Sequence, residues 1–166
     1  IALGGTVIFS NDYNLSDGPA SFDISNIYLN NAQVTFRGNV DLDDNRGIYL
    51  DTDGGRLGTS ANTIWFTNDA PISGPGSLQW LLGQTLLAAD NELTGGIIHR
   101  SGWGSAIAIT KDRNLGPVPI SQQVCYTHSN GWGWFVAADT ISVHANRKFD
   151  VAAPMQVDVA SGKTLT

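Results

Sequence analysis

Five aspartates in the first third of the chain form its densest group of charges: Asp41, Asp43, Asp44, Asp51 and Asp53. Carboxylate oxygens are the ligands that Ca²⁺ prefers, and the ion takes about six to eight oxygens in total. The segment DLDDN, however, lacks the glycine and the terminal glutamate of a calcium-binding loop. The five residues are therefore a weak calcium candidate, and a pair of solvated turns is the expected alternative.

Three histidines and one cysteine are the other side chains that could act as bases, nucleophiles or metal ligands. His99, His128 and His144 are scattered without a neighbouring carboxylate pair, so we expect surface or capping positions for them. Cys125 lies in the strand-like VCYT, which predicts a buried apolar filler, and a single cysteine excludes an intrachain disulfide. The sequence carries no serine-hydrolase, zinc-protease or P-loop motif. We therefore expect no catalytic residues and no cofactor.

The tryptophans are the most distinctive chemical feature. Trp103, Trp132 and Trp134 alternate with glycine in GWG and GWGW, so we expect them at turns rather than in the core. Exposed aromatic rings suit stacking on a sugar or contact with a protein partner. Packing over a corner or an end of the fold is the alternative. Trp65 and Trp80 lie in strand-like runs, which predicts packing in the core or a groove.

Composition and charge exclude several classes of function. A chain of 166 residues is long enough for one domain with its own core. A net charge of −6 argues against binding to nucleic acid or to an anionic membrane. No apolar run approaches the roughly 20 residues of a membrane-spanning helix. The chain opens on IALGG without Met, so we expect a mature piece or an excised fragment.

Short β-branched runs between turn residues predict an all-β chain. The clearest are TVIFS (6–10), TIWFT (63–67) and AIAIT (106–110), whereas the polar segment 38–47 is predicted as a turn. A helix competes only for Ile72–Gly96, because its leucines approach a 3.6-residue period. Gly83 lies inside that stretch and would cost a helix about 1 kcal/mol, so strands are favoured.

Four pairs of similar segments occur in the same order, each pair separated by roughly a hundred residues. They are GGTVI (4–8) with GGIIH (95–99), Asn14-Leu15 with Asn114-Leu115, Asn45-Arg46 with Asn146-Arg147, and SANTI (60–64) with SGKTL (161–165). A unit this long must contain several shorter coils, which favours a solenoid. A β-sandwich, whose halves need not repeat in order, is the alternative.

Three further segments resemble the passenger-associated strand repeat of bacterial autotransporters: ISGPGSL (72–78), GQTLL (83–87) and NELTGG (91–96). The sections that begin NRGIYLDTDGG and NRKFDV resemble the part preceding this repeat, and NDYNLSDG and KDRNLG its follow-on turn. Leu93 replaces the usual aromatic residue, Gly54-Gly55 has no counterpart in the second copy, and segment 117–135 matches poorly. The resemblance implies a right-handed, single-stranded parallel β-helix exported to the bacterial cell surface.

We expect one β-helix segment over residues 1–166, a β-solenoid of about seven coils with roughly 20–25 residues each. Alternating inward positions predict the core stacks Val34/Phe36, Ile64/Phe66, Ala106/Ala108 or Ile107/Ile109, and Val157/Val159.

The resemblance implies a non-catalytic stalk or adhesin segment of an outer-membrane passenger. Such a segment presents its outward faces to host or matrix carbohydrate or protein and does not itself insert into the membrane. A self-assembling extracellular filament subunit, associating end to end or laterally, is one alternative. Another is a fragment of a β-helix polysaccharide lyase or hydrolase that uses the aspartates with Ca²⁺ and a basic residue.

Overall fold

Nearly all of the regular structure in the computed structural model, which describes residues 2–3, 5–100 and 103–166, is β-strand. The strands are β1 (Ala2–Leu3), β2 (Thr6–Phe9), β3 (Asp23–Leu29), β4 (Ala32–Phe36), β5 (Val40–Leu42), β6 (Arg46–Leu50), β7 (Gly55–Thr59), β8 (Trp65–Asn68), β9 (Ile72–Gly74), β10 (Leu78–Trp80), β11 (Gln84–Leu87), β12 (Glu92–Leu93), β13 (Ile97–Arg100), β14 (Ser105–Ile109), β15 (Gln123–Asn130), β16 (Gly133–Ala137), β17 (Arg147–Val151) and β18 (Met155–Val159). Two 3-10 helices, Asp12–Leu15 and Asp112–Leu115, complete the described elements.

The strands form three parallel sheets, and the chain visits them in turn. Sheet I has the order β1-β3-β6-β9-β12, sheet II the order β2-β4-β7-β10-β13-β15-β17, and sheet III the order β5-β8-β11-β14-β16-β18. In sheet II, Ala32 aligns with Gly55, Gly55 with Leu78, and Leu78 with Ile97, so these three coils have about the predicted length. The two coils that contain the 3-10 helices are longer, since Thr6 aligns with Gln33 and Ile97 with Tyr126. The result is an all-β solenoid of about seven turns. Parallel pairing throughout excludes the sandwich alternative, and β9 to β12 exclude a helix over residues 72–96.

Inward-facing apolar side chains stack from coil to coil and form one continuous core. Phe36 stacks on Phe66 with ring centroids 4.4 Å apart, and Phe9 and Trp80 extend this column at either side. Each fully buried side chain of this size contributes about 1.5–3 kcal/mol through removal from water. A second aromatic group further along the axis consists of Tyr126, Phe135 and Phe149.

Most of the predicted core stacks are confirmed. Val34, Phe36 and Phe66 are buried, and Ile64 is half-buried. Of the two alternatives on β14, Ile107/Ile109 is the core stack, because Ile107 aligns with the buried Phe135, whereas Ala106 and Ala108 lie on the other face. The prediction for Val157 and Val159 is wrong, because their exposed fractions are 50% and 42%. Val157 aligns with the buried Phe135, so it does face inward. It is exposed because β18 is the outermost strand of sheet III and no coil stacks on it.

Some strands fall where none was predicted, and β5 and β7 are the clearest cases. The predicted turn 38–47 contains β5, whose Val40 and Leu42 point into the core on either side of Asp41. The strand β7 reads GRLGT, in which only Thr59 is a strand-favouring residue and two of the five residues are glycine. Conversely, ISVH (141–144) has the β-branched pattern that predicts a strand, but it forms only a single bridge, between Ile141 and Leu165.

The 3-10 helices lie in two loops that replace strands. The first loop joins β2 of sheet II to β3 of sheet I, and the second joins β14 of sheet III to β15 of sheet II. Leu15 and Leu115 anchor the two helices in the core and are both buried. Among the described residues, no helix has the length and apolar character needed to cross a membrane.

Candidate functional site

A pair of exposed tryptophans lies on neighbouring turns between sheets II and III. The ring centroids of Trp103 and Trp132 are 5.2 Å apart with planes inclined at 53°, and the residues are 72% and 40% exposed. The side-chain amide of Asn62, on the corresponding turn nearer the N-terminus, donates a hydrogen bond to the Trp103 carbonyl. Both rings therefore lie at exposed turns, as the flanking glycines predicted.

The other two outward tryptophans lie on the outer face of sheet III. Trp134 belongs to β16 rather than to a turn, which corrects the expectation from GWGW. It aligns with Ala106, which aligns with Gln84, which in turn aligns with Trp65. Three strand spacings of 4.8 Å place Trp65 about 14 Å from Trp134 along the axis. Trp80 is fully buried, but Trp65 is 42% exposed, so its predicted place in the core is wrong.

We call Trp65, Trp103, Trp132 and Trp134 the tryptophan surface. On the four central strands of sheet III, β8, β11, β14 and β16, the outer face carries two uncharged rows. One has Trp65, Gln84, Ala106 and Trp134, and the other has Thr67, Leu86, Ala108 and Val136. Asp41 of β5 and Asp158 of β18 continue the second row at its two ends. Ala106 and Ala108 face outward yet are nearly buried, which makes them the floor between larger neighbours. The Gln84 amide donates to the Asn62 carbonyl at 3.0 Å and adds a polar group. This surface can stack on apolar ring faces and hydrogen-bond to neutral polar groups.

The aspartates singled out in the sequence make separate contacts. Tyr28 donates its hydroxyl proton to Asp51, and the backbone N–H of Asn45 donates to Asp43 at 2.9 Å. Partial burial, with Asp69, Asp44 and Asp12 nearby, raises the pKa of Asp41 above its usual range. Within the part of the chain that the structure describes, no three His, Cys, Asp or Glu side chains are placed to hold a metal ion.

A polar network lies inside the solenoid around His99. Its Nδ1 is 2.8 Å from the Tyr126 hydroxyl and its Nε2 is 3.0 Å from Ser105 Oγ. Ser105 donates its proton to the Gly83 carbonyl at 2.7 Å, so it accepts one from His99 Nε2. His99 Nδ1 then accepts the Tyr126 proton, which fixes a neutral imidazole with its proton on Nε2.

Burial, and to a smaller extent the neighbouring His128 ring with its centroid 4.9 Å away, lower the pKa of His99 to about 3. Burial also raises the pKa of the Tyr126 hydroxyl. Ser105, His99 and Tyr126 are all fully buried, and the Ser105 proton points away from the imidazole. The pair of Ser105 and His99 therefore lacks both the proton path and the access of a hydrolytic nucleophile and base.

The expectation of surface or capping positions is correct for His144, which is exposed, but wrong for His99 and His128. The missed signal is the period of two in Ile97-x-His99 and Tyr126-x-His128, which places each histidine on the inward face. Cys125 is 6% exposed, as predicted for a filler, and burial raises the pKa of its thiol.

Comparisons of the chain with protein-family models, with curated proteins and with solved structures return no match. The solenoid architecture therefore rests on the sheets and registers described above, and the tryptophan surface is the candidate site they present.

Proposed function

We propose that the chain is a non-catalytic β-solenoid segment that serves as a rigid stalk or adhesin element. In this proposal the tryptophan surface is its contact site. One observation carries the proposal: Trp65, Trp103 and Trp132 are exposed, whereas the hydrogen-bonded group of Ser105, His99 and Tyr126 is sealed inside the solenoid. An enzyme requires the opposite arrangement, with reactive groups open to substrate and aromatic rings used to position it.

The architecture suits presentation. Each coil is hydrogen-bonded to its neighbours, and a continuous core runs along the axis. A stack of this kind grows by about 4.8 Å per coil and displays its outer faces in fixed register. Side chains on successive coils, such as those of Trp103 and Trp132, are thereby held close together without a folded binding pocket.

The chemistry of the surface favours a neutral saccharide. Aromatic faces stack on the apolar faces of sugar rings, and amides such as that of Gln84 bond to hydroxyl groups. The eight outward side chains on the four central strands of sheet III are uncharged, and the flanking charges, Asp41 and Asp158, are negative. The whole chain carries a net charge of −6. Such a chain repels polyanions, so an acidic polysaccharide is a poorer partner.

The resemblance to autotransporter passengers supports placing this segment on the bacterial cell surface. The three segments that carry it, 72–78, 83–87 and 91–96, fall on β9 to β12 and so make up one turn of the solenoid. In a passenger this turn would be one of many that project outward from the outer membrane. Export and membership of that family are part of the proposal.

The test is a titration of the protein with neutral oligosaccharides, beginning with cellohexaose. Binding is detected by tryptophan fluorescence and by calorimetry. We expect binding that is lost in the Trp103→Ala/Trp132→Ala double variant. Tyr13→Ala removes an equally prominent aromatic ring, 79% exposed, and should leave binding unchanged. Binding that survives the double variant, or binding to no glycan on a neutral glycan array, would refute the proposed site.

The same preparation also tests the lyase alternative. Incubation with polygalacturonate and Ca²⁺ should produce no unsaturated ends. Cleavage that disappears in the Asp43→Asn/Asp44→Asn variant would replace the present proposal with the enzymatic one.

A further inference from the structure

A cavity of about 300 Å³ lies beneath the second loop, at the corner where the chain passes from sheet I to sheet II. Four segments bound it: the turn 93–96, the loop 115–121, the residues 123–125 of β15, and Arg147 at the start of β17. The coil of β12 and β13 lies on one side of it along the axis and the coil of β17 on the other. The cavity is therefore enclosed by the middle of the chain. The tryptophan surface lies apart from it, at the following corner and on sheet III.

Most of the cavity lining is apolar. Leu93 and Leu115 are 1% and 2% exposed and form the floor. Val118 and Val124 are 40% and 45% exposed, and Ile120 is fully exposed at the rim. Concave sites with an apolar lining and a few polar groups are typical of small-molecule binding.

The cavity offers no charge to a ligand. Among the described residues that line it, Arg147 carries the only charged side chain, and that charge is already matched. The guanidinium bonds to both carboxylate oxygens of Asp112 and to the carbonyls of Leu115 and Gly116. A charged ligand would enter this apolar site without a counter-ion, which is unfavourable. The lining therefore favours a neutral ligand.

The first loop shows that the fold does not require an apolar lining here. Asn45 and Asn146 hold the two loops alike, through hydrogen bonds from their amides to the carbonyls of Pro19 and Pro119. When the loops are aligned on these prolines, small or acidic residues of the first correspond to apolar residues of the second: Asp17, Gly18 and Ala20 to Pro117, Val118 and Ile120. The apolar side chains of the second loop thus exceed what the shared structural role needs, which indicates a ligand.

The loop over the cavity is held in place without a ligand. The Asn146 amide also donates to the Ile120 carbonyl at 3.1 Å, and Arg147 fixes the first residues of the loop. Pro117 and Pro119 restrict the backbone between these anchors. A site that is already open and rigid loses little conformational entropy when a ligand binds.

We propose that this cavity binds a neutral bicyclic aromatic molecule with one polar group, of the class of indole. An apolar cavity of about 150 Å³ can hold benzene, so roughly twice that volume accommodates two fused rings. A pit bounded by four segments suits a compact molecule, whereas an extended peptide needs a groove that is open at both ends. At the mouth, Gln123 Nε2 donates to the Thr94 carbonyl at 3.4 Å, a long hydrogen bond that a ring N–H of the ligand can replace.

Cys125 supplies a reporter for the experiment, because it is the single cysteine of the chain and lines the cavity. Indole is titrated into the protein by calorimetry, and the rate at which a pyridyl disulfide reacts with the Cys125 thiol is measured at each concentration. Burial raises the pKa of this thiol, so the reaction is run at mildly alkaline pH. We expect saturable binding of one indole per chain and a reaction rate that falls in proportion to occupancy.

A matched pair of variants tests the location. Val124→Asp places a carboxylate on the apolar wall and should weaken binding at least tenfold. Ile24 lies as far after Pro19 as Val124 lies after Pro119, and it is 41% exposed, so Ile24→Asp should leave binding unchanged. Val118→Gly gives the second loop the residue of the first and should weaken binding several-fold. Circular dichroism checks that each variant is folded.

Two analogues test the class of ligand. Indoleacetate adds a carboxylate to the ring and should bind at least tenfold more weakly than indole, and binding of equal strength would contradict a neutral ligand. N-acetyltryptophanamide carries the same ring on a peptide unit, and tighter binding of this compound would assign the cavity to a peptide instead. No saturable binding of indole, binding that leaves the Cys125 reaction rate unchanged, or wild-type affinity in Val124→Asp would each overturn the proposal.

Discussion

Arg46 Nε lies 2.8 Å from Asp12 Oδ1, and Arg147 Nε lies 2.7 Å from Asp112 Oδ1 in the same arrangement about a hundred residues later. Both contacts are bidentate, because Nη2 of each arginine also bonds to the second carboxylate oxygen. The same nitrogen donates to the carbonyl of the residue after each 3-10 helix, Ser16 or Gly116. Each guanidinium thus ties a loop to the strand that begins the following coil.

The two copies share further contacts. The side-chain carbonyl of Asn14 accepts the Ser10 N–H at 2.9 Å, and that of Asn114 accepts the Thr110 N–H at 2.7 Å. One more pair closes each loop: Asn45 and Asn146 donate from their amides to the carbonyls of Pro19 and Pro119. The repeated dipeptides Asn-Leu and Asn-Arg are therefore the anchors of one duplicated loop, which we call the loop clamp.

Replacing Arg46 by Met should destabilise the protein strongly. The Arg46 side chain is 1% exposed, and its loss leaves the carboxylate of Asp12, 15% exposed, without its partner. Removing one member of a buried ion pair costs about 3–5 kcal/mol. Urea unfolding followed by circular dichroism should show this loss in the free energy of unfolding.

Two variants separate the charge effect from simple loss of packing. Adding Asp12→Leu to Arg46→Met removes the stranded carboxylate and should recover part of the lost stability. Lys111→Met breaks an exposed pair with Asp90, in which both side chains are about half exposed, and should cost at most about 1 kcal/mol. Equal losses in Arg46→Met and Lys111→Met would show that burial of the clamp has no energetic importance.

The repeat was visible in the sequence, but its angular position was not. GGTVI and GGIIH both lead into strands of sheet II, β2 and β13. The second copy then adds β14 before its 3-10 helix, whereas the first passes from β2 directly into the helix. Arg46 consequently begins a strand of sheet I and Arg147 a strand of sheet II. Matching similar residues gives only their separation along the chain. It cannot show that the second copy of the loop is displaced by one sheet around the solenoid relative to the first.

The inward direction of a strand was predictable only where polar and apolar residues alternate. Gln33–Arg37 alternates, and its apolar residues are the buried ones. In AIAIT both faces are apolar, and alanines and isoleucines alike are buried. The period of two does place His99 inward with Ile97 and Trp65 outward beside the inward Phe66. What the local pattern leaves out is the pair of partners of the buried imidazole, Ser105 on the next strand and Tyr126 on the next coil.

His99 should make stability depend on pH below neutrality. Its pKa in the folded chain is about 3, below the ordinary 6.5, because burial disfavours the protonated ring. The unfolded state therefore binds the proton more readily, so the contribution is complete above about pH 6.5 and is lost as pH falls towards 3. The loss amounts to about 1.4 kcal/mol per pH unit and on the order of 5 kcal/mol in total.

The measurement is the free energy of unfolding in urea between pH 7 and pH 4, for the wild type and for His99→Gln. The variant should be less stable at pH 7, because Tyr126 and Ser105 lose their hydrogen-bond partner, the His99 imidazole. Its stability should nevertheless fall less steeply with acid. Identical slopes for the two proteins would mean that the buried imidazole does not contribute.

Gly55→Ala should destabilise the solenoid more than Gly58→Ala, although both residues lie in β7. A Cβ atom at residue 55 would lie 2.7 Å from Leu29 Cδ1 and 2.9 Å from Leu50 Cδ2, inside the core. Overpacking of this kind costs about 1–3 kcal/mol. At residue 58 the nearest atom is Leu81 Cβ at 3.1 Å, and the loss of glycine's backbone freedom offsets part of the crowding. Thermal unfolding of the two variants under one condition gives the comparison, and an equal or reversed order would contradict it.

Trp65 and Phe66 are adjacent aromatic residues on opposite faces of β8, so their truncations should have very different effects. Phe66 is fully buried and stacks between Phe36 and Trp80. Phe66→Ala therefore opens a cavity in the aromatic column and should cost about 3–5 kcal/mol in urea unfolding. Trp65 is 42% exposed on the tryptophan surface, and Trp65→Ala should cost less than about 1 kcal/mol. Similar losses in the free energy of unfolding for the two variants would mean that Trp65 supports the fold. An exposed ring on a contact surface is expected to contribute little to that free energy.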